Sequence, residues 1–149
     1  MRRIRPFLLS CLVLAPASFV SAQVTPIPGS GCPGASPVAT QGNPSIGGRI
    51  AFDWQCGARE VPALAFGGIL QPAISLPTSL TCTRVACILA VRPVVVVPGA
   101  PNAVLSVPVM IPNDPSLVGA AVGVQGLCVV PGREVCITLG QAISVQIMR

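Results

Sequence analysis

Asp53 and Glu60 stand on either side of a short turn, and they are the pair with which this chain would do acid–base chemistry. Glycoside hydrolysis needs two carboxylates roughly 5–10 Å apart across an open cleft, one as acid and one as base or nucleophile. The rest of the usual catalytic inventory is missing. The sequence has no histidine, no tyrosine and no lysine, its nine basic residues all being arginine. General acid–base catalysis draws first on histidine, with lysine and tyrosine among the alternatives. A Ser-His-Asp or Cys-His site cannot be assembled in cis without a histidine. Asp53 falls on the solvent face of a strand pattern and Glu60 is expected to pair with a neighbouring arginine, so two structural surface carboxylates are expected. No catalytic residue is assigned, and the chain is read as a non-enzyme.

The cysteines are the second chemistry-bearing set. Cys11 lies inside a leader: Met1-Arg2-Arg3-Ile4-Arg5 is a basic head and Phe7 to Val20 an apolar stretch. Val20-Ser21-Ala22 is a small-residue cleavage site ahead of Gln23. This is the pattern of a secretory signal peptide over 1–22, too short to be a stable span. Its removal leaves Cys32, Cys56, Cys82, Cys87, Cys128 and Cys136, an even set that reads as a disulfide framework in an exported chain. Six cysteines allow 15 connectivities. Proximity along the chain favours Cys128–Cys136 within a hairpin, Cys82–Cys87 across a short loop, and Cys32–Cys56. Zinc is disfavoured because there is no histidine and no CxxC pair of finger spacing. The loop spacing of an EF-hand is absent as well. No metal and no cofactor are expected.

Three further motifs have a specific and an ordinary reading. Gly29-Ser30-Gly31-Cys32-Pro33-Gly34 matches GxGxxG. That fingerprint needs a strand before it and a helix opening after it, whereas a proline-rich leader and more turn formers surround it here. It reads as a turn around Cys32. Trp54 is the single tryptophan and the one platform a sugar could stack on, but it shares parity with Ile50 and Phe52 and so belongs to a core face. Gly132-Arg133-Glu134, if pinned by Cys128–Cys136, would present a constrained arginine of the kind a protease specificity pocket accepts. An ordinary solvated hairpin tip is the expectation there.

Charge excludes another class. Without Arg2, Arg3 and Arg5, six arginines face Asp53, Glu60, Asp114 and Glu134, a net +2. Nucleic-acid binding needs a basic stripe, which this distribution lacks.

The elements that must hold these residues are strands. Arg49 to Cys56 alternates with Ile50, Phe52, Trp54 and Cys56 on one face, as the period of two requires. Val61 to Phe66 returns, with Pro62 marking an edge position or a strand start, and Gly67-Gly68 reads as another turn. Ile74-Ser75-Leu76 is a short strand. Ala86 to Val97 is a continuous β-branched run split at Pro93, the pattern of a strand buried on both faces or crossing between sheets. Val94 to Val97 and Val107 to Ile111 would be aggregation-prone if exposed, so burial or self-association is expected of them. Ala103 to Ile111 alternates with Leu105, Val107, Val109 and Ile111 inward. Asn113-Asp114-Pro115-Ser116 is a turn, Val122, Val124, Cys128 and Val130 share a strand face, and Ile143, Val145 and Ile147 alternate in a closing strand.

The result is an all-β, single-domain antiparallel β-sandwich, jelly-roll-like and disulfide-stapled, of seven to nine strands. Residues 23–48, rich in proline and glycine, read as an N-terminal arm, and 49–149 as the sandwich domain.

Gly31-Cys32-Pro33-Gly34, together with Ile111-Pro112-Asn113-Asp114-Pro115-Ser116-Leu117-Val118-Gly119 and Gln125, resembles a group of short, uncharacterised exported bacterial proteins and C-terminal modules. Their shared signature is a GCPG segment and an lPNxPxLxG…Q strand pattern, in which an aromatic often precedes the Gln, where this chain has Val124. The resemblance implies export and an all-β fold, and no catalytic residues. The function expected is that of a secreted non-catalytic structural or interaction protein, in the periplasm, at the cell surface or in the medium. A carbohydrate-binding or protease-inhibitor-like module is the alternative. An envelope or extracellular protein, or a second copy of the chain, is the expected partner, with no nucleic acid and no membrane span once the leader is gone.

Overall fold

The computed structural model describes residues 23–132 and 136–149. The expected leader 1–22, the Ala22 side of its expected cleavage site and the expected Arg133-Glu134 tip lie outside the described residues. Gln23 is exposed, and its carbonyl accepts from the Gln146 N–H at 3.1 Å.

The described residues form nine strands: Val24–Pro26 (β1), Ala39–Gly42 (β2), Arg49–Trp54 (β3), Val61–Leu76 (β4), Cys87–Pro98 (β5), Leu105–Met110 (β6), Ala121–Val130 (β7), Cys136–Leu139 (β8) and Ile143–Gln146 (β9). They form two antiparallel sheets, the larger in the order β1-β9-β7-β4-β5 with β8 also on β7, the smaller in the order β2-β3-β6. This is the all-β sandwich that strand periodicity and turn spacing predict. Between the sheets, Ile50 and Phe52 of β3 meet Leu64, Val124, Ile143 and Val145, with Val107 and Val109 of β6 packed against them. The alternation in β3 and β6 accounts for this core, since each buries one residue in two.

Residues 23–48 do more than an arm would. They supply β1, which pairs with β9, and β2, which pairs with β3. Val38 is buried in the core between the sheets.

β4 is the element that departs most from its sequence pattern. It is 16 residues long and runs straight through Gly67-Gly68, where a turn was expected. Pro62 sits at its start, yet β4 is central, flanked by β7 and β5. The pairing with β7 ends at Gly67↔Gly123, while β4 continues with β5 as far as Leu76↔Cys87, through two register shifts. A register shift bends a ribbon locally, and here the far half of β4–β5 folds back over β7. It covers the face of β7 that carries Gly123, Gln125 and Leu127. The ribbon is then sealed to the other side of β7. Gly31 and Ile88 exchange backbone hydrogen bonds of 2.8 and 2.9 Å, and the Cys32 N–H donates to the Leu139 carbonyl at 2.9 Å. One half of the molecule is thus a small closed barrel behind the sandwich, with a second core of Cys32, Cys87 and Leu139 joined by Leu76, Leu89, Leu127 and Ile137.

All six cysteines from Cys32 onward are bridged, but none of the three sequence-neighbour pairings forms. The bridges are Cys32–Cys87, Cys56–Cys128 and Cys82–Cys136, closing separations of 55, 72 and 54 residues. Cys128–Cys136 fails on register. Val130 faces Cys136 and Cys128 faces Thr138, because the connection is five residues rather than three. Cys128 instead meets Cys56 just past the end of β3. Cys82–Cys87 and Cys32–Cys56 fail because the folded-back ribbon carries Cys87 to Cys32 and brings Cys82 beside β8, where the Ile137 carbonyl accepts from the Cys82 N–H. In the chain-entropy account each loop of this length is worth about 4 kcal/mol.

Candidate interaction edge

The residues singled out for chemistry are held in structural contacts. Asp53 Oδ2 accepts from Gln41 Nε2 at 2.7 Å across the β2–β3 pair, and Glu60 Oε2 accepts from the Gly57 N–H at 2.7 Å across its own turn. Glu60 therefore closes a turn, where an ion pair with an arginine was expected. Its carboxylate also lies beside the sulfurs of Cys56 and Cys128, the three ligand atoms falling within 4.8 Å of one another. Those sulfurs are bonded to each other and offer no thiolate to a metal.

The Gly29–Gly34 segment lines a groove of ≈ 370 Å³. The amides of Ser30, Gly31 and Cys32 and the Ser30 hydroxyl are already bonded within the fold. Gly31 donates to Ile88 and Cys32 to Leu139, and Ser30 Oγ donates to the Ile27 carbonyl and accepts from the Ala142 N–H at 2.9 Å. Gly31 has φ +82°, and a Cβ there would run into the backbone of Gly140. This glycine serves a close crossing of two backbone segments, where only a turn around Cys32 was expected.

Trp54 packs against the core on the side its parity predicts. Its indole lies over Gly126 and Gly140, either of which would collide with it if it carried a Cβ. Its Nε1–H donates to the Leu127 carbonyl at 3.0 Å. What is left of it lines a shallow groove with Asp53 and Gln55. The proposed inhibitory tip loses its pin, since Cys128 and Cys136 bond elsewhere; Gly132 is exposed.

Sequence reasoning named Gln125 as part of a motif but gave it no role. It is fully buried on the barrel side of β7, where Oε1 accepts from the Ala90 N–H and Nε2 donates to the carbonyls of Ile88 and Gly140, each at 3.0 Å. The side-chain amide satisfies the Ala90 N–H of β5, which would otherwise be buried without a partner, and adds a second donor to the Ile88 carbonyl. The signal was the position of Gln125 between Gly123 and Leu127 on a strand whose opposite face is apolar. It is informative only once that second face is known to be covered.

The feature that stands out for recognition is the other half of β5. Val94, Val95 and Val96 are 79%, 53% and 51% exposed, where a strand buried on both faces was expected. The reason is positional. β5 ends the larger sheet, and the ribbon folds back only over its Cys87–Val91 part, where Cys87, Ala90 and Val91 are buried. Among the described residues no strand pairs with the outer edge of Val94–Val97. Gly99 N–H donates to the Pro62 carbonyl at 2.7 Å. With Leu64↔Val97 and Phe66↔Val95 in register, antiparallel alternation turns the polar groups of Val95 and Val97 toward β4 and those of Val96 outward. Pro98 also faces outward and has no N–H to offer. Pro93 and Pro98 thus bracket a short, bare, uncharged edge.

No family model, curated protein or solved structure matches this chain. Three disulfides are consistent with an oxidising, extracytoplasmic location, and no described helix is long and apolar enough to cross a membrane.

Proposed function

We propose that this chain is an exported, non-catalytic interaction protein whose contact surface is the outer edge of β5 and the valines beside it. The observation that carries the reading is the exposure of Val94, Val95 and Val96 at an unpaired edge, in a body stapled by three disulfides. Soluble folds blunt such edges with charge, or cover them. Here the prolines shorten the edge without making it polar. A strand added to it gains main-chain hydrogen bonds, with the side chains of alternate residues supplying specificity. Export is supported by the leader pattern ending at Ala22 and by the oxidised cysteines. A non-catalytic role is supported by the missing histidine, lysine and tyrosine, and by the local hydrogen bonds that hold Asp53 and Glu60.

The test compares the intact chain with Val94→Lys/Val96→Lys. Both are immobilised and exposed to the extracellular and envelope fractions of an exporting host, and self-association is followed in parallel. Binding, to itself or to another protein, that the double variant loses while its circular dichroism and melting stay unchanged supports the reading. Equal binding by both proteins, or none by either, defeats it.

A further inference from the structure

The β5 edge is self-complementary, and we infer that its partner is a second copy of this chain, joined antiparallel about a two-fold axis through Val96; this rests on the edge being the contact surface. Val96 directs both its N–H and its carbonyl outward, as the Gly99–Pro62 hydrogen bond and the β4–β5 register require. Two strands crossing at this residue form a reciprocal pair, each Val96 N–H donating to the Val96 carbonyl of the second copy. In that register Val95 stands opposite Val97 of the second copy and Val94 opposite its Pro98. β-branched residues directly across a strand pair favour pairing. The match covers the run between the prolines and stops where the missing N–H of Pro98 would stop it.

Charge distinguishes this partner from an arbitrary strand. Arg92 is the single charged residue of β5, and two-fold pairing sets it opposite Ala100 of the second copy. The two arginines then lie at opposite ends of the joint, so no like charges face each other. An acidic partner strand would be expected if the edge carried a basic row, and it carries none. Closed two-fold symmetry also uses up the edge, because each copy contributes one and none remains for further growth.

Sedimentation of the full chain, exported through its own leader, reads this directly from micromolar to millimolar protein. The wild type is expected to sediment as a dimer in a concentration-dependent equilibrium. Val96→Pro removes the outward N–H and leaves the β4-facing bonds of Val95 and Val97 in place, and proline is tolerated at a solvent-side edge position. That variant and Val96→Lys are both expected to lose the dimer boundary entirely, while Val96→Thr keeps it. Circular dichroism and melting of Val96→Lys that match the wild type at dilutions where the wild type is monomeric show that the loss is not one of folding. A wild type that stays monomeric throughout overturns self-pairing, as does a Val96→Lys chain that dimerises like the wild type. A monomer that still captures another protein through Val94–Val96 overturns only the second-copy inference. A monomer that captures nothing overturns the interaction reading too.

Discussion

The two halves of β5 have similar composition and opposite fates. Cys87–Val91 is sealed: Gly31 pairs with Ile88, Gln125 accepts from the Ala90 N–H, and Val91 is fully buried. Val94–Val97, richer in valine, is left at the rim. Hydropathy alone would rank the second half as the better core strand. What separates them is whether the folded-back ribbon reaches, and it reaches only the half that lies beyond the end of the β4–β7 pairing.

The largest effect should come from unsealing the covered half. Cys32→Ala/Cys87→Ala removes the bridge that ties Gly31–Cys32 to β5, and a loss of about 2–5 kcal/mol is expected. Urea unfolding measures it. Amide exchange should accelerate at Ile88–Val91 and stay unchanged at Val95 and Val97; uniform acceleration would mean the halves are not separate units.

A direct contrast follows from two alanines. Val91→Ala takes apolar surface out of a buried site and should cost about 1.5–3 kcal/mol. Val94→Ala, at the exposed rim, should stay within about 0.5 kcal/mol of the wild type. Comparable denaturation midpoints for the two variants would erase the distinction.

Gln125→Leu strips partners from the Ala90 N–H and the Gly140 carbonyl, while Ile88 keeps its bond to Gly31. Leaving buried polar groups unpaired should cost about 1–3 kcal/mol, and the slope of the urea transition should not change. Gln125→Glu exchanges the donor for an acceptor facing two carbonyls, and is expected to be worse than Leu above the carboxylate range.

The smallest effect lies outside both halves and serves as a reference. Asp114 Oδ1 accepts from the Ser116 N–H at 2.9 Å at the head of a single 3₁₀ turn, Pro115–Leu117. The backbone hydrogen bond from Ser116, then the Ser116 side chain, hold the Asp114 carboxyl below its ordinary value of 3.8. A folded-state pKa depressed in this way stabilises the fold above the unfolded value and ceases to do so as pH falls through the folded one. The Ser116 amide shift should therefore titrate with a midpoint below 3.8, and Asp114→Ala should abolish the titration without altering exchange in either half of β5.

The strand faces of β3, β6 and β9 could be read from the residues because each alternates, and alternation states which side is wet. Ile50, Phe52, Val107 and Val145 declare their own environment. β4, β7 and β5 could not be read that way. Gly67-Gly68 looks like a turn and is passed through as strand, and Gln125 looks solvent-facing until a second layer covers it. The run from Val94 to Val97 carries no mark of which side is bare.

The sequence by itself determined that the chain is β-built, that its cysteines from Cys32 onward are even in number, and that histidine-, lysine- and tyrosine-based chemistry is outside its reach; those follow from residue type and local period. Only the tertiary structure decided which cysteines meet and which valines face solvent. Both depend on a ribbon folding back across β7 and bringing together residues more than fifty positions apart, and a two-residue period contains no information about where a long hairpin bends.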